Sequence, residues 1–312
     1  MKKLFSLIIS LSIILVLAAC GNSEESSSGN GSNTKQVTIK HELDDTKVDV
    51  NPENVVVFDF GVLDTLDKLG IEVAGVPQAN IPSYLSKYKD SKYENVGSLK
   101  EPDFEALANM GPDLIIISAR QMEMYEEFKK IAPTVYLALD YTKYMDSFKE
   151  NMKVIGQIFD KEKEVEGEVA KIDASINELK NKASSNNKNA LIILANDGNI
   201  SAYGPNSRFG IIHDVFGVKP VDSNIEVSTH GQTISNEYIV EKNPDYLFVI
   251  DRGAAVGGES SAKAVVENNL VKETDAYKNG NIVYLSPDFW YLSGGGLVSV
   301  QEMVNEISEA LK

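Results

Sequence analysis

Glu105-Ala-Leu-Ala-Asn-Met-Gly-Pro112-Asp113-Leu-Ile-Ile-Ile-Ser-Ala-Arg120 and, in the second half of the chain, Glu237-Tyr-Ile-Val-Glu-Lys-Asn-Pro244-Asp245-Tyr-Leu-Phe-Val-Ile-Asp-Arg252 follow one plan. Each has a glutamate, a Pro-Asp pair beginning seven residues later, and an arginine eight residues after the proline. Proline stops a helix because it lacks an amide hydrogen and constrains the residue before it. Each stretch therefore reads as a helix bearing an acidic residue, a turn at Pro-Asp, a buried apolar strand and an arginine at the strand's carboxyl end. Pro-Asp before a strand is common alone, but shared glutamate and arginine offsets make coincidence a poor account. The repeat predicts two lobes of like design.

Outward from these units, short apolar runs alternate with helical stretches, a pattern of α/β lobes with largely parallel sheets. Strands are expected at 55–58, 114–117, 190–194, 246–250 and 282–285. Between the halves, residues 143–185 contain no proline and few strand formers. Met145, Phe148, Met152, Ile155 and Phe159 define one helical face, and Val165, Val169, Ile172, Ile176 and Leu179 define another. The register breaks near Asp160-Lys161, so two helices are expected. The second, about two dozen residues, would span ~35 Å, enough to bridge two lobes. The predicted organisation is an N-terminal α/β lobe over 37–142, a helical connector over 143–185 and a C-terminal α/β lobe over 186–312.

The N-terminus points to export. Lys2 and Lys3 precede an uncharged run ending in Leu17-Ala18-Ala19-Cys20. That run is short for a membrane span and reads as a signal peptide over 1–19. Small residues before the chain's only cysteine resemble the bacterial lipobox, in which the cysteine is diacylated and becomes the mature N-terminus. Two acyl chains suffice for stable anchoring, so Cys20 is the expected lipidation site on the extracytoplasmic face of the cell membrane. Residues 20–36 are rich in Ser, Gly, Asn and Glu and read as a flexible tether. A single cysteine also excludes disulfides and thiolate metal clusters.

Net charge is −16, which argues against nucleic acid as a partner. Of 30 basic residues only three are arginine: Arg120, Arg208 and Arg252. Arg120 and Arg252 fall beyond strand ends, where open α/β sheets bind ligands. Arg208 lies in Tyr203-Gly-Pro-Asn-Ser-Arg208-Phe-Gly, a turn-rich loop leading into a helix. Guanidinium groups are planar, permanently charged forks that bind carboxylate or catecholate oxygens bidentately. One such arginine would read as a salt bridge. Three at loop-side positions read as a pocket for a polyanion. Phe289-Trp290-Tyr291 precedes Ser293-Gly294-Gly295-Gly296 and a helix from about Leu297. The glycines permit close approach to a ligand or another chain segment. The sole tryptophan fits either a stacking role or the core.

The lipobox, the duplicated Glu-to-Pro-Asp segments around a helical connector, and the terminal helix resemble class III periplasmic-binding-protein-like proteins for ferric siderophores, haem and cobalamin. The three arginines, Gly97-Ser-Leu-Lys100-Glu-Pro-Asp and Trp290-Tyr291 resemble in particular the petrobactin-binding lipoproteins of Gram-positive bacteria. The resemblance covers the whole exported chain. It implies two Rossmann-like lobes joined by one long connecting α-helix, and a monomer. It also implies that Glu105 and Glu237 dock into arginines of an ABC transporter permease. Arg120, Arg208 and Arg252 would then hold a ferric siderophore, with Lys100, Trp290 and Tyr291 as further ligand-binding candidates. The iron complex is cargo, and no resident cofactor or metal is expected.

Other classes fit less well. Direct metal capture needs clustered ligands, whereas His41, His213 and His230 are scattered without ligand spacing and read as surface or core histidines, with His230, in a Gly-containing loop, the one placed to line a cleft. Haem would need an axial His, Met or Tyr, residues this chain has, so a haem- or other metal-chelate-binding lipoprotein of the same family is the alternative. Cobalamin fits less well, since three arginines suit a polyanion better. No nucleophile elbow or metalloprotease helix marks an exported enzyme. A passive surface adhesin gives no reason to mirror glutamate and arginine across two lobes.

Overall fold

The computed structural model describes residues 35–258 and 261–311, and Lys35–Lys312 form one unit. The expected signal peptide, Cys20 and nearly all of the tether lie outside the described residues. A hairpin of β1 (Gln36–Lys40) and β2 (Asp45–Asp49) comes first. The first sheet is wholly parallel: β3 (Val55–Val57), β4 (Gly75–Val76), β5 (Glu94–Asn95), β6 (Leu114–Ile117) and β7 (Thr134–Tyr136), in the order β5-β4-β3-β6-β7. Helices α1 (Phe60–Lys68), α2 (Phe104–Met110) and α3 (Tyr125–Lys129) cover it.

Two helices link the halves: α4 (Tyr144–Phe159) and α5 (Glu162–Asn186). The break falls at Asp160, whose positive φ of 53° ends α4 in a left-handed cap. Val165, Ile172, Ile176 and Leu179 are buried on one face of α5, as their spacing requires. At 25 residues, α5 is roughly 37 Å long.

The second sheet comprises β8 (Asn189–Asn196), β9 (Asn199–Tyr203), β10 (Lys219–Pro220), β11 (Gln232–Ile234), β12 (Tyr246–Asp251) and β13 (Ile282–Leu285). Its order is β11-β9-β8-β12-β13, with β10 beside β8. Only the β8–β9 and β9–β11 pairings are antiparallel. The β8–β9 hairpin turns on Asp197-Gly198, both with positive φ (46° and 86°), the geometry a two-residue loop needs. Helices α6 (Ile211–Asp214), α7 (Asn236–Lys242), α8 (Arg252–Val256), α9 (Ala262–Val266) and α10 (Asp275–Lys278) flank this sheet. The chain closes with a π-helical turn, Asp288–Ser293, and α11 (Leu297–Ala310).

The repeated units fold alike. Helices α2 and α7 each have seven residues and end in a left-handed residue, Gly111 or Asn243, just before the proline. The aspartate after each proline joins the adjacent parallel strand: Asp113 Oδ2 accepts from Asn54 N–H at 2.8 Å, and Asp245 Oδ2 from Asn189 N–H at 2.9 Å. Along the following strands, Leu114 and Ile116, like Tyr246, Phe248 and Ile250, face one core that runs continuously between the lobes. Ile115 and Ile117 face a second core, and Leu247 and Val249 a third. Burying both faces is why these strands read as unbroken apolar runs.

One segment departs from the expected organisation. The second lobe is expected to run over 186–312, yet α11 within that span packs on α1 of the first lobe and on α5. The cause is close backbone approach. A Cβ on Gly296 would lie 1.9 Å from Asp64 Oδ1, so only glycine lets the segment reach α1. Gly296 thus serves the approach to another segment, while Gly294 and Gly295 line a cavity.

Candidate functional site

Arg120 sits in a short 3-10 helix (Ala119–Met124) beyond β6, Arg252 opens α8 beyond β12, and Arg208 lies in the loop between β9 and α6. All three meet at Tyr291. Arg208 Nη2 donates to the Tyr291 carbonyl oxygen at 2.7 Å, and Arg120 Nη2 donates to the same oxygen at 3.3 Å. Arg252 Nε donates to the Tyr291 phenol oxygen at 2.8 Å, while its Nη1 donates to Asn196 Oδ1 at 2.7 Å. The Arg208 guanidinium also lies 4.5 Å from the centre of the Tyr291 ring. Tyr291 presents a free carbonyl because its helical turn ends just afterwards at Gly294.

Every acceptor in this cluster is neutral. Among the described residues, the ion pairs all use lysine, and none of the three arginines has a carboxylate within pairing distance. Three like charges are thus gathered with no paired carboxylate, an anion-attracting arrangement. The Asp59 carboxyl lines a hollow beside the cluster and feels the Arg120 charge, but burial dominates and raises its pKa toward the neutral form. Tyr291 records that field. Burial alone would raise its phenol pKa, but the Arg252 hydrogen bond and the charges of Arg208, Arg252 and Arg120 outweigh burial and hold it below the ordinary phenol range.

Two adjoining hollows of about 300 and 340 Å³ surround the cluster and share Lys100, Arg120, Tyr291 and Leu292. Arg252, Asn80 and Ser98 line the first; Arg208, Tyr141 and His230 line the second. Lys100 is exposed on the rim. Trp290 is placed otherwise than in a stacking role: it is 3% exposed, and its indole N–H donates to Glu306 Oε2 at 2.7 Å. Of the two roles its sequence position allowed, the core holds it, although it also contributes to the lining of the second hollow.

Glu105 and Glu237 line neither hollow. They are exposed and occupy the same position, second in α2 and second in α7. The Ser235 hydroxyl holds the Glu237 carboxyl below its usual range. His41 is hydrogen-bonded to Thr46, and His213 is buried against the Val218 carbonyl; His230 is the histidine at the cavity. Among the described residues, no three His, Cys, Asp or Glu side chains gather as a metal-binding group. None of the described helices is long and apolar enough to cross a membrane. Asn196 and Tyr141 escaped sequence reasoning because nothing local marks them; Asn196 meets Arg252 across 56 positions of chain.

Residues 55–289 match the periplasmic binding protein family. The chain belongs to that family. Among its relatives, the petrobactin-binding protein YclQ of Bacillus subtilis is 58% identical over 316 aligned positions, covering all of both chains. The crystal structure of YclQ superposes with a TM-score of 0.88 and 60% identity over 89% of this chain and 99% of that one. The ferric-anguibactin-binding protein FatB of Vibrio anguillarum is 33% identical over 87% of this chain and 86% of its own. The catecholate-siderophore-binding protein VctP of Vibrio cholerae matches with a TM-score of 0.84 and 37% identity, over 88% of this chain and all of that one. These superpositions place the mixed α/β fold described above within the same group of structures.

Proposed function

We propose that this protein is the extracytoplasmic solute-binding lipoprotein of an ABC iron-uptake system, and that it captures a ferric siderophore of the catecholate–carboxylate type such as petrobactin. One observation carries the reading: three guanidinium groups from two lobes converge on Tyr291 between two adjoining hollows, with no carboxylate within pairing distance. A ferric complex of this type is anionic and rich in oxygen acceptors, so it supplies the charge and the acceptors that the cluster lacks. Similarity to siderophore-binding relatives supports the same cargo. The family's named members are binding proteins, and no enzymatic step is proposed.

Glu105 and Glu237, exposed at matching helix positions on the two lobes, are proposed to dock onto arginines of the permease. Cys20 is proposed to carry the lipid anchor, and the protein to act as a monomer. The test is fluorescence titration against ferric siderophores, haem and cobalamin, with Trp290, which lines the second hollow, as reporter. Nanomolar affinity, about 12 kcal/mol, is expected for a ferric catecholate–carboxylate complex. Stronger binding of haem or cobalamin would overturn the cargo.

A further inference from the structure

The arm that carries Tyr291 leaves the second sheet at β13 but is fastened to the first lobe. At its start, the Asp288 carboxylate accepts from Ser83 N–H at 3.0 Å and from the Ser83 hydroxyl. At its end, Ser293 Oγ shares a 2.7 Å hydrogen bond with the Tyr84 hydroxyl, which also donates to Asp64 Oδ2 at 3.0 Å. Between these points the Tyr84 and Phe289 rings pack with centres 4.8 Å apart. Further along, Leu297 N–H donates to Thr65 Oγ1 at 3.1 Å, and Ser299 N–H to Asp64 Oδ2 at 3.0 Å. All these partners lie in α1 or in the short helix Ser83–Lys89 of the first lobe. Among the described residues, the arm's side-chain hydrogen bonds to the second lobe's sheet and loops are those of Tyr291 with Arg208 and Arg252.

We propose that Ser83 and Tyr84 are positioning residues for cargo capture: they fix the Tyr291 arm to the first lobe, so that one lobe presents the cleft's central side chain and the other lobe's arginines grip it. This deepens the siderophore reading and rests on it. Any tilt of the second lobe about α5 strains the Arg208 and Arg252 bonds to Tyr291 and leaves the Arg120 bond in place. The spacing between Tyr291 and the second-lobe guanidiniums is therefore set by Ser83 and Tyr84, which line neither hollow.

Tyr84→Phe keeps the ring and removes the hydroxyl bonded to Asp64 and Ser293. Tyr88→Phe is the matched control: Tyr88 lies on the same short helix and donates to Asp67 of α1 at 3.2 Å, without a hydrogen bond to the arm. Amide hydrogen exchange over residues 288–296 and stopped-flow dissociation of ferric petrobactin would be measured on both. Tyr84→Phe should speed exchange in the arm and raise the dissociation rate about tenfold, whereas Tyr88→Phe leaves both within about twofold of the parent. Equal dissociation rates in the two variants, or an arm that exchanges as in the parent, would overturn the proposal. If the parent protein does not bind ferric petrobactin, the cargo reading fails separately, and arm exchange alone decides whether Tyr84 holds the arm.

Discussion

The two repeated units share nearly everything except how they hold their arginine. Both have a seven-residue helix, a left-handed cap, a Pro-Asp turn and a strand buried on both faces. Strand β6 ends at Ile117, however, so Arg120 falls on the exposed second residue of a 3-10 turn with one long hydrogen bond. Strand β12 runs to Asp251, so Arg252 leaves the sheet directly, half-buried and fixed by two short bonds. Identical sequence offsets thus yield one guanidinium held by two short bonds and one held by a single longer bond. Preorganisation lowers the entropic cost of binding. The lobes differ in another way: α1 of the first buries Asp64 beneath the C-terminal helix, and among the described residues the sheet and helices of the second lobe bury no carboxylate to that degree.

The largest effect should expose that last difference. Burial outweighs hydrogen bonds from Ser299, Val298 and Tyr84 and pushes the Asp64 carboxyl up to about 7. The folded protein then retains a proton that the unfolded chain releases near pH 4. Stability from Asp64 is full below about pH 4 and declines by up to about 4 kcal/mol as pH rises to about 7. Urea unfolding from pH 4 to 8 should show this fall, and Asp64→Asn should lack it; equal slopes would remove the contrast.

Arginine variants test the units directly. Arg252→Ala and Arg208→Ala should each weaken ferric siderophore binding by about 2–3 kcal/mol, because both are half-buried and hydrogen-bonded. Arg120→Ala, more exposed, should cost about 1 kcal/mol. Titration of the three variants ranks them, and an Arg120 effect equal to that of Arg252 would break the asymmetry. Where the units agree, Asp113→Ala and Asp245→Ala should lower stability alike, by about 1 kcal/mol and a few degrees in Tm. Glu105→Ala and Glu237→Ala should leave binding within about 0.5 kcal/mol of the parent while impairing iron uptake by cells; normal uptake would end the docking proposal.

Much of this was legible beforehand. The expected strands at 114–117, 246–250 and 282–285 lie within or coincide with β6, β12 and β13, and the helix break falls at Asp160 as the register indicated. Periodicity reports local burial, and these elements are buried locally. The β8–β9 hairpin went unforeseen because its Asp197-Gly198 turn separates runs that also suit alternating strands and helices. The scarcity of arginine pointed to the pocket, but not to Tyr291 as its hub, since a backbone carbonyl leaves no mark on composition. Trp290 was open between two roles because an indole suits both; Glu306, on the next helix, settles where its N–H goes.

By itself, the order of residues determined the paired α/β units, the connector's helical face and the three guanidinium side chains near strand ends, because helix caps, strand periodicity and charge type act within a few residues. Only the tertiary structure decided that the final helix crosses to the first lobe, that Tyr291 sits between the arginines, and that Arg252 is held more tightly than Arg120. Those outcomes depend on contacts between residues far apart in the chain, such as Gly296 against Asp64, whose energies no local pattern encodes.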